Sequence, residues 1–135
     1  MRKPKSERKR LIEANDALFR QIIRNRDVNG EGIPVCQKTD KKKNLQVCHF
    51  YRRNILRTRW DEENACLLNA GVHIFWAHSD QQGFREWWLK RLGQERFDNL
   101  ELRARYAAPV KREYLEMTNK WLRDMLETKK EDICK

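Results

Sequence analysis

Apolar positions in this chain recur mostly at helical spacing, and one stretch in the middle departs from it. Near the N-terminus Leu11, Ala14, Leu18, Ile22 and Ile23 follow one another at about three and four residues, with basic residues on the other side. That period predicts a helix over residues 6–26. Gly30, Gly32 and Pro34 end it. Residues 36–44 are polar, include the lysine run 41–43, and predict a turn that joins two short strands. The second of these strands is the apolar run 45–51. Residues 54–63 are polar and arginine-rich and predict a loop. From residue 64 or 66 apolar residues dominate through Trp76, which predicts a helix. Ser79 or Asp80 is placed to cap another helix, which runs to Leu92 with Phe84, Trp87, Trp88 and Leu92 on its buried side. Gly93 stops it. Residues 94–107 form a further short helix with Phe97, Leu100, Leu102 and Tyr106 apolar. Pro109 opens a last helix reaching residue 130, with a stripe of Tyr114, Leu115, Thr118, Trp121, Leu122, Met125 and Leu126. That stripe fits packing on the first helix or a dimer interface. The class is mainly α with a small β-hairpin.

Charge changes the picture from fold to partner. The 135 residues carry a net charge of +10, and 37% of them are charged. Such an excess favours a polyanionic partner, most simply nucleic acid. Residues 1–10, with six Lys or Arg, read as a basic flexible tail, and residues 11–130 as one domain. No apolar run approaches a membrane span, and the basic N-terminus lacks the apolar segment of a secretion signal. The expectation is a cytoplasmic protein without membrane contact. The four cysteines, at 36, 48, 66 and 134, contain no CxxC pair. For Cys134 the sequence suggests no role.

The candidate chemistry is concentrated. All three histidines fall between residues 49 and 78, with His49 at the end of the apolar run and His73 and His78 in the expected helix. Imidazole titrates near neutrality, so it can take a proton from water, and in its neutral form it ligates metals. His73 and His78 are five apart, whereas four apart would share one face of an α-helix. Arg52, Arg53, Arg57 and Arg59 follow His49. Their planar forks suit phosphate. The plainer alternative is a solvated loop with Arg59 paired to Asp61 or Glu62. Trp60 either stacks on a base or anchors that loop to the core.

The spacing His49-x14-Asn64-x8-His73 resembles the HNH, or ββα-metal, nuclease motif. The flanking text LQVCHFYRR, TRWDEENA and HIFWAH resembles phage recombination nucleases of the NinG (Rap) type. The resemblance covers roughly residues 18–106. It implies a ββα-metal core over residues 35–80, flanked by an N-terminal helix and by C-terminal helices over 80–130. It also implies a metal-dependent DNA endonuclease working in recombination or DNA processing, in the host cytoplasm, on DNA that includes branched forms. By resemblance His49 is the general base, Asn64 the middle motif residue, and His73 a metal ligand. His78 is a second ligand or a leaving-group contact, and Cys48 takes the place of a further ligand. Arg52, Arg53, Arg57 and Arg59 bind the DNA backbone. The cofactor is one divalent ion, magnesium or manganese ahead of zinc, although a cysteine ligand would favour zinc. Relatives carry two CxxC pairs around a structural zinc. The corresponding positions here are Cys36 and Thr39, then Asn69 and Val72, so the structural zinc is expected to be lost. A homodimer would suit cutting of both strands. Two other readings remain: a non-catalytic DNA-binding protein that keeps an HNH-like shell, and a helical adaptor acting through its Trp-rich C-terminal helices.

Overall fold

The computed structural model describes residues 2–106 and 108–134, and the side chains of 131–134, including the Cys134 thiol, lie outside that description. In order come helix α1 (Glu7–Arg26), strand β1 (Leu45–His49), the short helix α2 (Leu56–Arg59), a 3-10 turn (Glu62–Asn64) and strand β2 (Ala65–Asn69). Helix α3 (Ala70–Val72) runs directly into a π-helical turn (His73–Ala77). Helices α4 (Gln81–Leu92), α5 (Gln94–Arg105) and α6 (Arg112–Cys134) complete the chain. The protein is therefore mainly helical with one small antiparallel sheet. The chain divides into two compact units, residues 1–22 with 108–135, and residues 23–107. Helix α1 begins at Glu7, inside the segment read as a tail.

In the first unit α6 and the N-terminal part of α1 are tied by polar contacts as well as apolar ones. Asn15 is fully buried, donates to the Leu115 carbonyl at 3.2 Å and accepts from Asn119 Nδ2 at 2.9 Å. An amide held on both sides costs little to bury and fixes the helix register. Leu115 and Leu122 are fully buried, as the stripe predicts, whereas Trp121 is half exposed. The last helix starts at Arg112 and not at Pro109. The Val110 carbonyl is taken by the Arg8 guanidinium at 2.9 Å, which holds that segment outside the helix.

The second unit corrects the hairpin. β1 pairs antiparallel with β2, in the register Gln46 to Leu68, Cys48 to Cys66 and His49 to Ala65. The expected partner ahead of residue 45 is replaced by turns, in which Asp40 and Asn44 adopt positive φ. The stretch after residue 64, expected to be helix, is strand until Asn69. The reason is burial: Ala65, Cys66, Leu67 and Leu68 are each 1% exposed or less. A strand buried on both faces reads as a continuous apolar run, which periodicity cannot separate from a helix. Beyond β1, the outer edge of β2 is also covered. Leu67 donates its N–H to Asp27 Oδ2 at 2.8 Å and its carbonyl accepts from Gln37 N at 2.9 Å. Asp27 is 3% exposed and is neutralised by Arg26 Nε at 2.8 Å, with Arg91 at 3.6 Å.

Helix α4 behaves as its sequence predicts. Asp80 caps it by accepting from Gly83 N, and Gly93, at φ 85°, ends it. Its buried face meets the sheet in one cluster of Cys36, Cys48, Cys66, Leu68, Ala77, Phe84, Trp88, Leu92, Phe97 and Leu100. Trp88, fully buried, also donates its indole N–H to the Glu63 carbonyl at 2.9 Å, so the loop before β2 is pinned to α4. Phe50 stacks on Trp88 at 5.5 Å and holds the end of β1 against the same core.

A histidine cleft with two arginines

Each histidine is positioned by a different local cause. His49 closes β1, and its Nε2 lies 2.8 Å from the Arg59 carbonyl oxygen. A carbonyl only accepts, so in the neutral ring Nε2 carries the proton and Nδ1 is the basic nitrogen. The loop that supplies this carbonyl is held by Asn64. Its Nδ2 donates to the carbonyls of Tyr51 at 3.1 Å and Thr58 at 2.9 Å, and its Oδ1 accepts from Tyr51 N at 2.7 Å. Asn64 is completely buried, so it acts on the loop and not on solvent-borne substrate. Trp60, 3% exposed, anchors the same loop, in line with the plainer of its two readings.

His73 and His78 meet because the helix is not α-helical there. His78 N donates to His73 O at 3.2 Å, an i to i+5 bond. In an α-helix residues five apart are turned by about 140°. A turn closed by an i to i+5 bond holds one extra residue, so the two come back to nearly the same face. Their ring centroids are 4.6 Å apart and nearly perpendicular. His73 Nδ1 lies 3.1 Å from Gln46 Oε1, so Nδ1 carries the proton and Nε2 holds the lone pair. Burial, and then the neighbouring His78, hold the His73 imidazole below its ordinary pKa, which favours the neutral ring that ligates metals.

His49 and His78 line one cavity of about 680 Å³ with Phe50, Arg52, Ala77, Gln81, Phe84 and Arg85. Of the four arginines singled out in the sequence, Arg52 lines this cavity. Arg57 lies 4.6 Å from the Tyr106 ring, and Arg59 donates to the Arg53 carbonyl at 3.0 Å. Asp61 is bonded to Arg103 at 2.6 Å. Arg85 and Gln81 were missed by the sequence reading. They stand four apart on α4, one helical turn, among the aromatic residues that drew attention to its buried face.

Cys48 goes elsewhere. Successive strand residues point to opposite faces, and Cys48 enters the apolar cluster at 1% exposure while His49 lines the cavity. Burial pushes its thiol up to about 12, so it stays protonated. The structure thus brings His49 and His78 together, sets His73 beside His78, and withdraws Cys48. Among the described residues no three His, Cys, Asp or Glu side chains are gathered to hold a metal. Two imidazoles are a partial donor set for a divalent ion. They fit manganese or zinc better than magnesium. The positions expected for a structural zinc do converge. The Cys36 thiol is buried, which pushes it up, but hydrogen bonds from the Thr39 side chain and from the Asn69, Lys38 and Thr39 backbone leave it below its ordinary value. Val72 packs on the same cluster. One thiol, a hydroxyl, an amide and an isopropyl group do not form a zinc donor set.

No helix among the described residues is long and apolar enough to cross a membrane. Comparisons with protein-family models, with curated proteins and with solved structures return no match to this chain.

Proposed function

We propose that this protein is a metal-dependent DNA endonuclease with a ββα-metal core formed by β1, β2 and the helix over residues 70–77. The observation that carries the reading is the cleft in which His49 and His78 face Arg52 and Arg85, on a chain of net charge +10. His49, oriented by the Arg59 carbonyl, takes a proton from water at Nδ1. The water oxygen bonds to phosphorus as the bond from phosphorus to the 3′ oxygen breaks, leaving a 5′ phosphate and a 3′ hydroxyl once that oxygen is protonated. Arg52 and Arg85 hold the non-bridging oxygens through charge-assisted hydrogen bonds. His73 and His78 would hold a divalent ion, which when bound neutralises charge on the phosphate. Asn64 serves the reaction by holding the loop that orients His49.

The test is cleavage of supercoiled and branched DNA by the parent, His49→Ala and His78→Ala proteins, with manganese, zinc, magnesium or chelator, alongside binding by fluorescence anisotropy. The expected result is metal-dependent cutting that falls about 10²- to 10⁴-fold in His49→Ala with binding retained. Tight binding without cutting under any metal would overturn the enzyme reading and leave a DNA-binding shell.

A further inference from the structure

Among the exposed large apolar side chains of the 23–107 unit, two stand beside the histidine pair. Phe75 is 80% exposed and Ile74 is 53% exposed, both within the π turn that carries His73 and leads to His78. The inward packing of that turn is met by their neighbours. Ala77 is buried, and Trp76 packs edge-on against Phe84 and Trp87, each at 5.5 Å. Phe75 is therefore not required by the core. Nor do two side chains make a protein interface, which buries roughly 800 Å² on each partner.

Cations stand beside the residues that follow Phe75 in the turn. Lys38 Nζ sits 4.6 Å above the Trp76 ring, and Ala77 and His78 line the cleft that holds Arg52 and Arg85. An exposed ring whose chain neighbours meet these cations fits a nucleobase, which presents a flat π face and brings a phosphate with it. Entry into a continuous base stack carries an unstacking penalty, which is already met where a strand is nicked, gapped or branched.

We infer that Phe75 is a wedge that stacks on an exposed, unstacked base beside the cleft. The inference rests on the nuclease reading for the identity of the cleft, but its binding test does not require cleavage.

The experiment uses the full-length His49→Ala protein, with and without Phe75→Ala or Phe75→Trp, on matched continuous and gapped duplexes carrying 2-aminopurine at the gap. Phe75→Ala should weaken binding to the gapped DNA about tenfold. It should abolish the fluorescence change and alter continuous-duplex binding by no more than about twofold. Phe75→Trp should restore both. Equal loss on both duplexes, or no loss on either, would overturn the wedge. The urea midpoint of Phe75→Ala should match that of its parent, because the ring is exposed. Metal-dependent cutting by the parent that is indifferent to Phe75 would leave the nuclease reading and remove the wedge. A gap preference that depends on Phe75 without any cutting would do the reverse.

Discussion

Replacing Asn64 tests whether the loop on which His49 rests is held by a buried clasp. The side chain makes three hydrogen bonds, to Tyr51 O at 3.1 Å, Thr58 O at 2.9 Å and from Tyr51 N at 2.7 Å. Asn64→Ala deletes all three; the Thr58 carbonyl keeps its backbone donors at Trp60 and Asp61, whereas the Tyr51 N–H loses this acceptor. A net hydrogen bond contributes about 1 kcal/mol, and a buried group left unpaired costs about 1–3 kcal/mol. The loss should therefore be about 3–5 kcal/mol, a large share of the ~5–15 kcal/mol of a typical domain. In urea unfolding followed by tryptophan fluorescence, the midpoint should fall while the slope stays constant. Asn64→Asp keeps the acceptor and removes both donors, setting a carboxylate against two carbonyl oxygens. Its protonated form regains one donor, so the folded-state pKa of the new carboxyl is raised above its unfolded value. That contribution to stability is present at low pH and is lost as pH rises through the raised pKa, so Asn64→Asp should be relatively less destabilised at pH 5 than at pH 8. A midpoint within about 0.5 kcal/mol of the parent for Asn64→Ala would refute the clasp, since surface changes alone have that size. Loss of cutting without loss of stability would instead give Asn64 a chemical role.

Other expectations follow from the same contacts. His73 has a lowered pKa, so the unfolded chain binds more protons there than the folded one. Stability should fall as pH drops below the unfolded value toward the folded one, and His73→Asn should remove that dependence, read as urea midpoints between pH 7.5 and pH 5.5. Cys48 and Cys66 are buried with raised thiol pKa values, so alkylation at pH 8 should leave both unlabelled in the native protein and label both in urea, read by peptide mass mapping. Asp27→Ala should cost about 3–5 kcal/mol in urea unfolding, because it removes the buried counter-charge of Arg26 and Arg91 and strands the Leu67 N–H. Arg96→Ala, which breaks an exposed pair with Glu63, should cost less than about 1 kcal/mol in the same assay.

The readable parts of the sequence were those in which a single local cause decides the structure. Helix α4 was legible from end to end because Asp80 caps it, Gly93 stops it and Trp88 sits on its inward face. The first and last helices were legible from their apolar stripes. β2 was not legible. Its four apolar residues are buried on both faces, so the alternation that marks a strand is absent, and its pairing depends on β1, sixteen or more residues earlier along the chain. The role of Arg85 lay equally out of reach. Arg85 enters the cleft only because α4 crosses beside the end of β1.

The histidine pair is the instructive case, because a sound helical rule pointed away from it. Residues four apart share a face of an α-helix, and His73 and His78 are five apart. A π turn is an α turn with one residue added, so a five-residue spacing within it plays the part that four plays elsewhere. The added residue has to be accommodated somewhere, and the two most exposed apolar side chains of the turn are Ile74 and Phe75. One irregularity thus has two consequences: it closes the imidazole pair on the side of Gln46 and His78, and it leaves an aromatic ring in solvent. A regular α-helix over residues 70–78, made by deleting Phe75, would set the two histidines four apart and keep the pair while removing the ring. Such a variant should retain metal-dependent cutting of continuous DNA and lose the preference for gapped DNA, which separates the two consequences within one turn.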